Sequence, residues 1–342
     1  MAITRDTVGN ISLDDFVDAV SGIYSKQDEK RSIWDIWFHA THHAASIGEE
    51  VRKQQPGDKL LKEVADFSMW LFTFVGKIYH DIGIPLGKPE RPEESAIRIK
   101  YGFSDLIWNK YPYICPVCFW RRLSKGMDVS ATSLNDPCDC LLYEVEFREE
   151  PQKKEHINKL RSYAKTHYEN KPTSVDEWQK MFSVIYQANL RHLSLADIAF
   201  HLLEEVGEVS DAMVRMYTYS KDEFESGEPS WRQMYLENEI ADVTSWIFAL
   251  VNKLEWVETI AKGYERYISL GEEILRPIPY TLSGIIWKRY GSPSGQDLYC
   301  PHKCKQPICE CPIYLVRTPK GLAKLKDYTV DILTSLKNTP SF

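Results

Sequence analysis

The chain has 342 residues, 43% of them hydrophobic and 27% charged, which is close to the average of folded globular proteins and excludes a wholly disordered chain, a collagen-like rod or a simple coiled coil. At about 100–200 residues per domain, the length predicts two domains or three. Lys and Arg total 42 against 49 Asp and Glu, a formal charge of −7, so broad attraction to a phosphate backbone is disfavoured and nucleic acid is not an expected partner.

The opening residues, MAITRDTVGNISLDDF, carry no basic segment followed by an apolar one, and no later run approaches the roughly 18–20 uncharged apolar residues of a membrane span. A cytoplasmic protein without a membrane anchor is expected. Ser12 precedes Asp14 and Asp15, the pattern of an N-cap and acidic first turn. Ile36, His39, His43 and Ile47 recur at helical spacing, up to a stop near Pro56-Gly57. VADFSMWLFTFVGKIY is apolar around most of its circumference, as a central bundle helix would be, and ends before Gly83 and Pro85. SDLIWNKY (104–111) follows, then CPVC with Cys115 and Cys118, then CDC with Cys138 and Cys140. LLYEVEF (141–147) alternates weakly like a short strand and leads into a helix around 153–168.

The second half repeats this order. At an offset of 162, SLDDF (12–16) lies over SVDEW (174–178) and DIWFH (35–39) over DIAFH (197–201). At an offset of 176, EVADFSMWLF (63–72) matches EIADVTSWIF (239–248). SGIIWKRY (283–290) then repeats SDLIWNKY, followed by Cys300, Cys304, Cys309 and Cys311, a weak strand at 313–318 and a helix around 321–337. The predicted fold is mainly α, with tandem helical units at 10–100 and 151–275. Each unit is followed by a four-cysteine module, at 101–150 and, with a C-terminal helix, at 276–342.

In the second unit, Glu204, Glu205 and Glu208 lie in LLEEVGEVSDAM, and Glu239 and Asp242 lie in ENEIADV. Residues three or four apart share a helix face, so Glu205 with Glu208 and Glu239 with Asp242 each project two carboxylates the same way. Asp242 sits inside the apolar run IADVTSWIFALV, where a solvated carboxylate is out of place. Converging acids need counter-cations, and an all-oxygen set suits Mg²⁺ or Mn²⁺. Mg²⁺ commonly completes its shell with substrate phosphates, which points to a nucleotide or another polyphosphate ester.

EExxE followed by ExxD at the head of an apolar helix resembles the MazG-like, all-α nucleotide pyrophosphohydrolases, over roughly 190–260 and, through the repeat, 12–80. The resemblance implies that Glu205, Glu208, Glu239 and Asp242 hold Mg²⁺, that Glu204 is an auxiliary ligand or orients water, and that the reaction is NTP + H₂O giving NMP and pyrophosphate. It also implies an intrachain pseudo-dimer, which either stays single or pairs again as a homodimer. Lys253, Lys262 and Arg266, downstream of ExxD, are candidates for the outer phosphates, and Trp246 for a base or for the core. In the first unit His42, His43 and Ser46 replace Glu204, Glu205 and Glu208, while Glu63 and Asp66 remain. That unit is expected to be a catalytic pseudo-site; the alternative is a transition-metal site of His39, His43, Glu63 and Asp66.

In a reducing compartment the eight clustered cysteines read as metal ligands, and two closed Cys₄ sets predict two structural Zn²⁺ ions. The alternative to an enzyme is a non-catalytic nucleotide sensor or protein-interaction scaffold.

Overall fold

The computed structural model describes residues 3–53, 57–81, 102–127, 129, 150–219, 231–261, 280–302 and 304–311. Their helices run α1 Leu13–Asp28, α2 Ile33–Arg52, α3 Asp58–Asp81, α4 Phe103–Lys110, α5 Pro116–Ser124, α6 Glu150–Thr166, α7 Val175–Ile185, α8 Gln187–His192, α9 Leu195–Tyr219, α10 Trp231–Ala261 and α11 Leu282–Tyr290. The molecule is mainly helical. Among the described residues, extended pairing is limited to two isolated bridges, Thr4 with Gln296 and Gly291 with Leu298. None of the described helices is long and apolar enough to cross a membrane. The expected helix at 153–168 is α6; the expected strands at 141–147 and 313–318 and the helix at 321–337 lie outside the described residues.

The helix starts follow local chemistry. Ser12 accepts the Asp15 N–H at 3.0 Å and Ser174 accepts the Glu177 N–H at 3.3 Å, so each hydroxyl satisfies a donor that the first turn leaves unpaired. At α2, Ser32 and Asp35 form a reciprocal capping box.

Packing then follows the apolar faces. Phe67, Phe72 and Phe74 of α3 and Val243, Phe248 and Leu250 of α10 are buried. Helix α2 lies along α3, α9 lies along α10, and α2 packs on α9 to join the two halves. At that junction Trp37 Nε1 donates to Ser210 Oγ at 2.8 Å. Gly48 lets the helices close up, since a Cβ there would stand 3.0 Å from Leu203 Cδ1.

Two short helices are exchanged between the halves: α4 packs on α10, and α11 packs on α3. Each is tied at its start to its own half, where the Ser104 N–H and hydroxyl donate to Asp14 and the Ser283 hydroxyl donates to Asp176. At their ends, Lys110 and Tyr111 reach Asp242, while Arg289 and Tyr290 reach Asp66. These contacts are equivalent to one another under the sequence offsets. Trp108 anchors the α4 arm, with its Nε1 donating to the Ala164 carbonyl at 2.8 Å and its ring set edge-on to Trp178.

Candidate functional site

On α9 and α10, Glu205, Glu239 and Asp242 each bring a carboxylate oxygen within 4.8 Å of the other two. The spacing argument accounts for this convergence, because Glu239 and Asp242 lie one turn apart on α10 and face Glu205 across the α9–α10 contact. Glu208, an exposed residue one turn beyond Glu205, hydrogen bonds Glu239 at the rim. Glu239 is buried, and Glu205 and Asp242 are half-buried. Burial and the Asp242 carboxylate push the Glu205 carboxyl well above the usual carboxylate range. Glu239 also rises, from burial, the Asp242 charge and the hydrogen bond that its protonated carboxyl donates to Glu208, against the lowering pull of Lys110.

Lys110, the last residue of α4, places its ammonium on Asp242 Oδ2, while the Tyr111 hydroxyl donates to Oδ1. Lys110 Nζ also donates to the Asn238 carbonyl at 3.3 Å, and Ser245 Oγ donates to the Tyr111 hydroxyl at 3.3 Å. Despite burial, the neighbouring Asp242 and Glu239 charges hold Lys110 above its ordinary value. The Lys110 charge acts on both Glu205 and Glu239. Three carboxylates face one ammonium, with Glu208 exposed at the rim, a deficit that protonation relieves or a divalent cation would fill. The all-oxygen donor set fits such an ion.

Other expected members of the site stand elsewhere. Glu204 points away, exposed, with the His201 Nδ1 3.3 Å from its Oε2, because one residue along a helix turns about 100° from Glu205. Lys253 is buried and donates to the Leu190 carbonyl near the end of α8 at 2.6 Å. It also lies eleven positions beyond Asp242, about 16 Å along α10. Trp246 Nε1 donates to Glu205 Oε1 at 3.1 Å, and its ring stacks on His201 and Tyr186, so it orients the acid instead of offering a free face. Lys262 and Arg266 lie outside the described residues. Lys110 and Tyr111 were not singled out from the sequence; the repeated basic-Tyr dipeptide ending both arms was the available signal.

The equivalent position in the first half is internally balanced. His43 Nδ1 lies 2.7 Å from Glu63 Oε2, and Lys62 Nζ lies 2.8 Å from Glu63 and 3.1 Å from Asp66. Arg289 Nε and the Tyr290 hydroxyl reach Asp66 Oδ1 at 3.1 and 2.7 Å. Two acids thus face two permanent cations. His43, Glu63 and Asp66 do gather within metal-ligand reach, whereas His39 stacks on Trp70 instead. Burial holds the His39 ring in its neutral form, down to about 4.

Cys300, Cys304, Cys309 and Cys311 converge, all sulfurs within 4.8 Å. Cys300 and Cys311 Sγ are 3.9 Å apart, and Cys304 and Cys309 Sγ are 4.0 Å apart. A tetrahedral ion with metal–sulfur bonds of about 2.3 Å sets sulfurs about 3.8 Å apart, so the set fits a metal. Burial opposes the Cys304 thiolate, but N–H donation from Glu310 and Gln306 prevails and brings it down to about 6. The cluster docks on α1, where Gln27 Nε2 donates to Cys309 Sγ and to the Cys311 carbonyl, both at 2.9 Å, and the Ile23 carbonyl accepts the Cys309 N–H at 2.6 Å. In the first half, Cys115 caps α5 and Cys118 lies within it; Cys138 and Cys140 are outside the described residues. Comparison of the chain with protein-family models, curated proteins and solved structures finds no match.

Proposed function

We propose that the protein is a Mg²⁺- or Mn²⁺-dependent nucleoside triphosphate pyrophosphohydrolase, which converts an NTP or dNTP and water into the monophosphate and pyrophosphate. The observation that carries this reading is the gathering of Glu205, Glu239 and Asp242 within 4.8 Å, with Glu208 on the rim. When bound there, a divalent ion would neutralise charge developing at the α-phosphate and lower the pKa of a water. The chain's own residues supply the rest. Trp246 fixes the Glu205 carboxylate, Tyr111 and Ser245 fix Asp242, and Glu208, the most exposed acid of the set, orients water for in-line attack.

The same reading treats the chain as two MazG-like units paired within one cytosolic polypeptide, the first catalytically silent and each followed by a structural zinc module. The exchanged arms, the balanced charges around Asp66 and the sulfur spacing of the second module support it. A protein of residues 171–342 alone would lack α4, and a stable, monomeric, fully active fragment would overturn the pairing.

The test is pyrophosphate release across a panel of NTPs and dNTPs with Mg²⁺ or Mn²⁺, for wild type and Glu205→Gln. Release by wild type and its loss in the variant are expected. Equal background in both, with nucleotide still bound, supports a nucleotide-sensing scaffold instead; the hold of Lys110 and Tyr111 on both oxygens of Asp242 is the feature that favours that reading.

A further inference from the structure

We propose that Lys110 is a displaceable resident cation: its ammonium neutralises the acidic cluster when no divalent ion is bound, and an ion taken up by Glu205, Glu239 and Asp242 must drive it off Asp242. This rests on the divalent-site reading of the cluster, though not on the hydrolysis of any nucleotide.

Both oxygens of Asp242 are engaged, Oδ2 by Lys110 and Oδ1 by Tyr111. A carboxylate has about four lone-pair positions, so a neutral phenol can share Asp242 with a metal ion. An ammonium cannot do so cheaply, because it and a divalent ion would be held on one carboxylate in a half-buried setting where Coulomb repulsion is poorly screened. The first half shows the opposite solution. There Asp66 is held by Arg289, Tyr290 and Lys62, two cations match two acids, and His43 and Ser46 stand where Glu205 and Glu208 do. Arg289 is a planar, permanently charged clamp, whereas Lys110 is a point charge on a flexible stem. With three gathered acids against one ammonium, only the second site gains by exchanging its cation for a doubly charged one. Lys110 ends the α4 arm, so ion uptake would also loosen that arm's grip on α10.

The experiment is Mn²⁺ binding to the full chain, by calorimetry and by electron paramagnetic resonance of free Mn²⁺, for wild type, Lys110→Met and Lys110→Arg. Thermal unfolding with and without Mn²⁺ accompanies it. Lys110→Met is expected to bind Mn²⁺ about tenfold tighter, to unfold earlier than wild type in chelator, and to gain more stability from Mn²⁺. Lys110→Arg is expected to bind several-fold more weakly, because a guanidinium can hold both Asp242 oxygens. A merely structural lysine would not tighten the site when removed. Unchanged or weaker binding in Lys110→Met overturns the proposal; if that variant does not fold, unchanged or tighter binding in Lys110→Arg does so. Absence of Mn²⁺ binding in all three proteins overturns it together with the divalent-site reading. Tighter binding in Lys110→Met with no pyrophosphate released by wild type leaves the resident cation standing and removes the enzyme; pyrophosphate release with unchanged Mn²⁺ affinity does the reverse.

Discussion

Asp66→Ala separates a structural first site from a catalytic one. Asp66 is 2% exposed and receives Tyr290 at 2.7 Å, Arg289 at 3.1 Å and Lys62 at 3.1 Å. Removing one partner of a buried ionic network costs about 3–5 kcal/mol, since the remaining charges keep their desolvation without their counterpart. Lys62 retains Glu63 and substantial contact with water, so it adds little. Tyr290, 1% exposed, loses its acceptor, which alone costs about 1–3 kcal/mol. The contributions overlap, and a net loss of about 3–4 kcal/mol is expected. Asp66→Asn, which keeps an acceptor for Tyr290 and removes only the charge, should lose about 1–2 kcal/mol. Urea unfolding should show the midpoint falling with the slope unchanged, while pyrophosphate release per folded molecule is retained. A loss below about 1 kcal/mol for Asp66→Ala, or activity abolished with stability intact, refutes the assignment of this site to architecture.

Four further outcomes follow from the same geometry. Chelation of the Cys300–Cys311 cluster, or Cys309→Ser, should free the segment from α1 and expose it to proteolysis, because its hold on Ile23 and Gln27 depends on the folded cluster; unchanged proteolysis in chelator would contradict a metal-folded module. In chelator, stability should fall as pH rises above the ordinary carboxylate range: Glu205 and Glu239 have raised values, so the folded chain holds protons that the unfolded chain releases. Saturating Mn²⁺ should flatten that slope, and a chelated protein that gains stability across the same range would show the sign to be wrong. Glu204→Gln should leave Mn²⁺ affinity unchanged, and Lys253→Met should lower stability without raising KM; loss of Mn²⁺ binding in the first or a KM effect in the second would return those residues to the site.

The helical organisation was legible because its signals are local: Ser12 and Ser174 mark starts, and carboxylates spaced by three share a face wherever the helix lies. The cluster of Glu205, Glu239 and Asp242 followed from that spacing. The arm did not, since Lys110 and Asp242 are 132 residues apart and no periodicity links them; only the recurrence of a basic-Tyr pair at 110–111 and 289–290 hinted at it. Where the Glu204 and Lys253 side chains stand was not legible either. Composition says that a charge is present, but helix phase decides that Glu204 faces water, and the open carbonyl of Leu190 decides where Lys253 points. Lys62 was not singled out either, although it stands where the second half has Asn238, and that one exchange helps turn an acid pair in need of a cation into a balanced one.

The most direct measurement is hydrolysis of an NTP in ¹⁸O-labelled water with Mg²⁺, read by ³¹P NMR and mass spectrometry for wild type and Glu239→Gln. Water attack at the α-phosphorus predicts label in the nucleoside monophosphate, unlabelled pyrophosphate, and no turnover by the variant. Label in an orthophosphate product, or equal turnover by Glu239→Gln, would contradict chemistry at the α9–α10 cluster.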